Sequence, residues 1–316
     1  MRPPDLLLLG VDGGGTSTDA RLAALGGRIL GRGKAGPSNA KAVGLDRARE
    51  ALADAIALAF ADANLDPRPA ASACFGLAGF DRPDDREILA EWVAAARWAD
   101  RLTQVNDGDL VVAAGTPDGC GVGVIAGTGS IAVGRARDGR KARAGGWGHL
   151  LGDEGSAYAV VLHALRLVAR RADGREPQPL FDPLTDGLCR ALGVSSASLI
   201  VPILYDPGFD RARIAALAPE VLAVCAADPA LSDRLLRPAG EALGEQALAV
   251  ARALDWPRGE LPLALAGGFL LSSSVIASAL LATLSAAGYR CSIRPVPEPV
   301  IGAVVLAERA LGSFEI

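Results

Sequence analysis

Residues 6–18 read Leu-Leu-Leu-Leu-Gly-Val-Asp-Gly-Gly-Gly-Thr-Ser-Thr. Asp12 stands where the apolar run stops, and Gly13, Gly14, Gly15 and Thr16 follow at once. Glycine has no Cβ, so the backbone can turn tightly and approach a ligand closely. Successive N–H groups in such a turn make an anion-binding concavity. A carboxylate beside it repels a bare phosphate but suits a Mg²⁺ ion bound to one. A glycine-rich hairpin with no ligand explains the same residues. Residues 119–133, Gly-Cys-Gly-Val-Gly-Val-Ile-Ala-Gly-Thr-Gly-Ser-Ile-Ala-Val, shift the balance toward phosphate. Aligning Gly13 with Gly127 puts Gly15 on Gly129, Thr16 on Ser130 and Asp12 on Ala126, so only the first copy carries a carboxylate. Two such units suggest a duplicated fold. Two phosphate hairpins facing each other would grip a polyphosphate from both sides.

Three further stretches carry chemical groups. Asp107 follows a short apolar run and precedes a helical one, where either a catalytic carboxylate or a helix-capping Asp would sit. Asp109 suits the first turn of that helix. Residues 145–155, Gly-Gly-Trp-Gly-His-Leu-Leu-Gly-Asp-Glu-Gly, put one indole and two acids in a glycine-rich loop. Its backbone groups and Asp153 can bond hydroxyls while Trp147 covers an apolar face; alternatively Asp153 or Glu154 caps the next helix. Of the two histidines, His149 reads as a structural hydrogen-bonder and His163 as packing. Gly267 and Gly268 follow a strand-like run and open a helix, where a nucleoside could pack or strand and helix could merely meet tightly.

VDGGGTST, IAGTGS, GGWGHLLGDEGSAYA and LALAGGF together resemble the acetate and sugar kinase/Hsp70/actin superfamily. Within it the chain is similar to the N-acetylglucosamine kinase and bacterial glucosamine kinase group of the BadF/BadG/BcrA/BcrD ATPase-like family. The resemblance spans nearly the whole chain, and GGWGHLLGDEG is its most specific part. It implies an α/β fold of two duplicated ribonuclease H-like (actin-like ATPase) domains with a cleft between them. Residues 1–116 with a returning helix at 299–316 would form the first, and residues 117–298 the second, with a helical insert at about 173–260. It implies ATP and Mg²⁺ as cofactors, an amino sugar as partner, and phosphorylation of N-acetylglucosamine at the 6-hydroxyl. Asp107 would be the general base and Asp12 the metal residue. Asn39, Asp107, Gly146, Trp147, Gly148 and Asp153 would contact the sugar. Gly13, Gly14, Gly15, Thr16, Gly127, Thr128, Gly129, Gly267 and Gly268 would hold the nucleotide. Homodimers are common among the relatives.

Two departures keep alternatives open. The human-type enzyme has an aromatic residue shortly after the Asn, near the acetyl group; here Ala40 and Lys41 follow Asn39, so a glucosamine kinase is an alternative. ATPase activators of partner reductases and dehydratases share the family. They hold an iron–sulfur cluster with a cysteine three residues before the GTG glycine, where this chain has Val124.

Composition excludes other classes. The 316 residues suffice for two domains, and 50% apolar content fills two cores. A net charge of −4 gives no reason to expect nucleic acid or an anionic membrane as partner. Five widely spaced cysteines without a CxxC argue against a disulfide framework and a zinc site. The apolar run at 6–11 is short, follows Asp5 and lacks a cleavage signal, so a cytoplasmic protein is expected.

The elements that must position these groups follow from periodicity. Strands are expected on either side of each glycine turn, at 6–11 and 19–25 around the first, and in the run before Gly127 and at 131–137 around the second. Apolar residues at Leu45, Ala48, Leu52, Ile56 and Phe60 have helical spacing. A strand at 74–80, a helix at 84–98 with Ile88, Leu89, Trp92 and Val93 inward, and a strand at 102–105 lead to Asp107. Gly31-Arg-Gly-Lys-Ala-Gly36 fits GxGxxG but opens no helix, which argues against a dinucleotide site. Residues 156–172 read as a helix, 173–260 as mostly helical, 261–266 as a strand, 267–287 as one helix, 289–295 as a strand and 299–311 as a last helix.

Overall fold

The computed structural model describes residues 6–80, 82–177 and 179–312. The chain divides into two compact units, Met1–Cys120 with Glu298–Ile316, and Gly121–Pro297.

The first unit is a five-stranded sheet with helices on both faces. Its elements are β1 (Leu7–Gly13), β2 (Thr18–Ala24), β3 (Ile29–Ala35), α1 (Ala40–Val43), α2 (Leu45–Asp62), β4 (Ser72–Leu77), α3 (Pro83–Ala96), β5 (Leu102–Val105) and α4 (Asp107–Gly115). The strand order is β3-β2-β1-β4-β5. The β1–β2 and β2–β3 pairs are antiparallel, whereas β1–β4 and β4–β5 are parallel. The parallel strands therefore end on one edge, where Gly13 pairs with Leu77 and Gly76 with Val105.

Helix α2 buries Ala48, Leu52, Ala55, Ile56, Ala59 and Phe60, the face its spacing predicts apart from Leu45, which is exposed at the helix start. It lies so close to β3 that a Cβ on Gly33 would be 1.9 Å from the Ala55 carbonyl oxygen, and one on Gly31 would be 2.0 Å from that of Ala59. The GxGxxG run is thus an outer strand whose glycines admit a helix backbone. On α3, Leu89 and Val93 are buried. Trp92 meets Phe80 edge-on and Trp98 stacks on Phe75.

The second unit contains β6 (Gly121–Ala126), β7 (Ser130–Arg135), β8 (Lys141–Gly145), α5 (Ala157–Ala172), α6 (Pro183–Leu192), α7 (Ile200–Leu204), α8 (Arg211–Ala215), α9 (Ala218–Ala227), α10 (Pro229–Leu235), α11 (Arg237–Ala253), β9 (Gly259–Ala266), α12 (Gly268–Leu271), α13 (Ser274–Ala286) and β10 (Tyr289–Val296). Its sheet order is β10-β9-β6-β7-β8. Read from β8, this is the arrangement of the first sheet: two antiparallel pairs, then two parallel ones. The duplication expected from the glycine motifs is present strand for strand.

The last helix, α14 (Val300–Gly312), returns to the first unit. It closes a core of Leu8, Cys74, Leu110, Ala303, Val304 and Ala307. Gly302 packs directly on α4, where a Cβ would sit 2.0 Å from the Leu110 carbonyl oxygen.

The structure corrects the sequence reading in four places. The outer strands β3 and β8 went unrecognised because glycine and charge dominate them; pairing to an inner strand supplies what their composition does not. The helix expected at 267–287 breaks, with Ser272 closing α12 and the Ser273 side chain capping α13. The hairpins are not of equal length. The last pair is Gly13 with Thr18 in the first and Ala126 with Ser130 in the second, so the first loop is one residue longer and the gapless alignment slips there. His163, expected to pack, is exposed on α5.

Candidate functional site

In the first unit, three polar residues converge on the edge where β1, β4 and β5 end. Asp12 is the penultimate residue of β1, and Asp107 is the first helical residue after β5. Asn106 caps that helix, its side chain accepting from the Gly108 N–H, so capping does not need Asp107. The Asp107 carboxylate accepts from the same N–H at 3.0 Å, which aligns it with the positive end of the α4 dipole. Asn39 arrives on the loop after β3. Both Ser38 N–H and Asn39 N–H donate to the Gly14 carbonyl, tying this loop to the glycine turn. Gly79 has φ of +86°, and a Cβ there would lie 2.5 Å from Asn39 Oδ1. The Asn39 oxygen also caps α1 by accepting from Lys41 N–H at 3.1 Å. Its amide NH₂ remains a donor of the kind that reads hydroxyls.

The electrostatics of this edge are acidic. Burial raises the Asp12 carboxyl from 3.8 to about 7, and repulsion from Asp107 and Asp19 adds to the rise against the opposing pull of Arg21. A crowded carboxylate that resists ionisation is a site where a cation relieves strain. Among the described residues no three His, Cys, Asp or Glu side chains form a closed metal cage. Mg²⁺ needs none, since it usually keeps waters and takes one or two carboxylates plus phosphate oxygens. Asp12 with Asp107 nearby fits that donor set.

The glycines of the first turn divide by function. A Cβ on Gly13 would collide with the Ser38 hydroxyl at 2.2 Å, so packing demands that glycine. Gly15 is exposed, a Cβ there meets nothing within 4 Å, and its φ lies outside the left-handed range. Neither packing nor backbone conformation requires a glycine there. Thr16 is exposed beside it. Gly14 N–H is used inside the turn, donating to Ser17 O. Ser38, which the sequence reading passed over, is fully buried, and its hydroxyl has no partner among the described residues.

In the second unit, a parallel arrangement gathers the second turn, the 145–155 loop and the Gly267–Gly268 pair. Gly127 repeats the Gly15 pattern: a Cβ there meets nothing, and its N–H closes the turn onto Gly129 O. Thr128 is half-exposed at the tip. Gly267 has φ of +91°, and a Cβ would fall 2.3 Å from the Ala126 carbonyl oxygen, so the ends of β9 and β6 touch backbone to backbone. Both the second glycine turn and the Gly267–Gly268 pair thus stand on the same sheet edge. Because α12 has only four residues, its dipole is small.

The 145–155 loop reverses through Gly145, Gly146 and Gly148, all with positive φ. Trp147 is 67% exposed, with the Arg143 guanidinium 5.9 Å from its ring centre. His149 is exposed and edge-on to Tyr158. Asp153 behaves differently. It is 3% exposed, has φ of +62°, and accepts from Ser130 N–H at 3.1 Å. It also pairs with Arg211 at 2.8 Å. The α5 cap is Ser156, accepting from Ala159 N–H, so neither Asp153 nor Glu154 serves as the helix cap. Arg211 carried no sequence signal, because a lone arginine at the start of a short insert helix looks like a solvated charge.

Comparison with known proteins accords with this geometry. The model of the BadF/BadG/BcrA/BcrD ATPase family matches residues 9–307. A solved protein from Chromobacterium violaceum, described as a candidate N-acetylglucosamine kinase, is 33% identical, covers 96% of this chain and 100% of its own, and superposes with a TM-score of 0.72. An N-acetylmuramic acid/N-acetylglucosamine kinase of Clostridium acetobutylicum is 29% identical over 263 residues, 83% of this chain and 85% of that one. An N-acetyl-D-glucosamine kinase of Dictyostelium discoideum is 29% identical over 285 residues, 87% of this chain and 88% of that one.

Proposed function

Since the chain belongs to the BadF/BadG/BcrA/BcrD ATPase family, we propose that it is an ATP-dependent amino-sugar kinase acting on the 6-hydroxyl of N-acetylglucosamine. The observation that carries this reading is Asp107 at the N-terminus of α4, beside Asp12 at the end of β1. A carboxylate so placed can take a proton from an alcohol. As the sugar oxygen bonds to the γ-phosphorus, the bond from that phosphorus to the β,γ-bridging oxygen breaks. ADP leaves, and the hydroxyl proton passes to Asp107.

The chain contributes positioning and charge management, which dominate phosphoryl transfer. Gly13, Gly14, Gly15 and Thr16 in one turn, and Gly127, Thr128 and Gly129 in the other, offer backbone and hydroxyl donors to the β- and γ-phosphates. Gly267 and Gly268 give the nucleoside a surface without side chains. Asp12 would hold Mg²⁺ through water. The ion, when bound, neutralises charge on the phosphates. Asn39, Gly146, Trp147, Gly148 and Asp153 bind the sugar. The names of the Clostridium and Dictyostelium relatives support that substrate class.

Glucosamine is the second reading, favoured by Ala40 and Lys41 after Asn39. A reductase activator is less well supported, because Val124 is fully buried in β6 where those proteins carry a cluster cysteine. The deciding experiment measures ADP release with N-acetylglucosamine, glucosamine and N-acetylmuramic acid. Sugar-dependent turnover, highest with N-acetylglucosamine, is expected. ATP turnover that no sugar accelerates overturns the assignment.

A further inference from the structure

We propose that Arg211, on the helical insert, is a positioning residue that fixes the sugar-binding carboxylate Asp153 through a direct ion pair; this rests on the kinase reading above. The argument begins with how Asp153 is held. Its Oδ1 accepts from Ser130 N–H at 3.1 Å, and its Oδ2 accepts from Arg211 Nη1 at 2.8 Å. A carboxylate offers about four lone-pair directions. Among the described residues Ser130 N–H and Arg211 take one oxygen each, which fixes the orientation of the carboxylate.

Asp153 is 3% exposed, and a charge so buried needs a partner. Among the described residues its one ion pair is with Arg211. The carboxylate also presses on the second glycine turn, since a Cβ on Gly129 would fall 2.7 Å from Asp153 Oδ1. The residue holds a left-handed backbone conformation that favours glycine, and such strain persists only where the surroundings over-determine it. Ser130 reinforces the arrangement, donating its hydroxyl to Glu154 O at 2.6 Å, with the Gln246 amide of α11 reaching the same oxygen at 3.4 Å.

Arg211 is itself placed by local structure. It is the first residue of α8, whose cap Asp210 accepts from Arg213 N–H at 3.0 Å. Ala215 anchors the other end of α8 in the core. The Arg211 side chain remains 40% exposed, so removing it opens no core cavity. Lysine cannot reproduce a planar guanidinium lying along one carboxylate oxygen. The insert, which otherwise looks like helical filling, thereby reaches into the sugar-binding loop.

The test uses the full chain and steady-state kinetics with N-acetylglucosamine and ATP varied in turn. Arg211→Ala is expected to raise the sugar KM roughly 10–100-fold, the usual worth of a charge-assisted hydrogen bond. The ATP KM should stay near that of the unchanged chain, while the melting temperature falls because a buried carboxylate loses its partner, a fall that the Asp153→Asn background should largely remove. Arg211→Lys should recover part of the loss, and millimolar guanidinium ion should restore sugar binding to the alanine variant. In an Asp153→Asn background, Arg211→Ala should add little, since the charge it serves is gone. An unchanged sugar KM in Arg211→Ala overturns the proposal. So does an ATP KM that rises as much as the sugar KM, which marks a merely structural role. If the unchanged chain shows no sugar-dependent turnover, the kinase reading fails and the proposal falls with it.

Discussion

Asp107 and Asp12 sit close enough to repel, and the two consequences are separable. Replacing Asp107 by Asn keeps shape and capping but removes the proton acceptor. Asp107→Asn should therefore bind ATP with near-normal affinity, measured by calorimetry, while kcat falls roughly 10²–10⁴-fold. Asp12 makes a prediction about pH. Its folded-state pKa of about 7 lies above the unfolded value of 3.8. Between these values the folded chain binds more protons than the unfolded one, so stability falls as pH rises through that window and levels off above it. Asp12→Asn removes this liability. Thermal melts without nucleotide or metal should show the variant gaining on the parent from pH 4 to pH 8. At Gly15 and Gly127, where a Cβ meets nothing, alanine should leave the melting temperature unchanged and weaken ATP binding. At Gly129, where a Cβ meets Asp153, alanine should disturb both.

Helices and strands were legible where one face is buried and opaque where packing came from elsewhere. α2 declared itself through Ala48, Leu52, Ile56 and Phe60, and β5 through the short stretch Leu102–Val105 that stops at Asn106. β3 did not, because Gly31 and Gly33 serve the helix above them rather than any strand propensity. The α12–α13 break was hidden because the run from 268 to 286 is apolar apart from serines and Thr283, which a helix also accepts. Packing at Gly302 provides an element-scale test. Alanine there meets the Leu110 carbonyl oxygen, so Gly302→Ala should push α14 off α4 and cost about 1–3 kcal/mol in chemical denaturation.

Across the whole chain the two sheets share one topology, yet only the second unit is continuous in sequence. The first needs α14 to cover Leu8, Cys74 and Leu110. A fragment spanning 121–297 should show cooperative thermal unfolding by circular dichroism. A fragment ending at residue 120 should not, and should bind a hydrophobic dye instead. Cooperative unfolding of the shorter fragment would show that α14 is dispensable to that core.

Residue order alone determined the glycine turns, the duplicated plan and the placement of Asp107 before a helix. Each is a local matter: which residues lack a Cβ, where an apolar run stops, which side chain precedes an amphipathic stretch. Only the tertiary structure decided which glycines are packing glycines and which face open space, because that depends on Ala55, Ser38, Leu110 and Asp153, all far along the chain from the glycines they approach. It also decided that Asp153 is a buried, ion-paired group rather than a solvated loop acid. The 58-position separation of Asp153 and Arg211 leaves no periodic trace of that pairing, since a single ion pair imposes no pattern on the sequence between its ends.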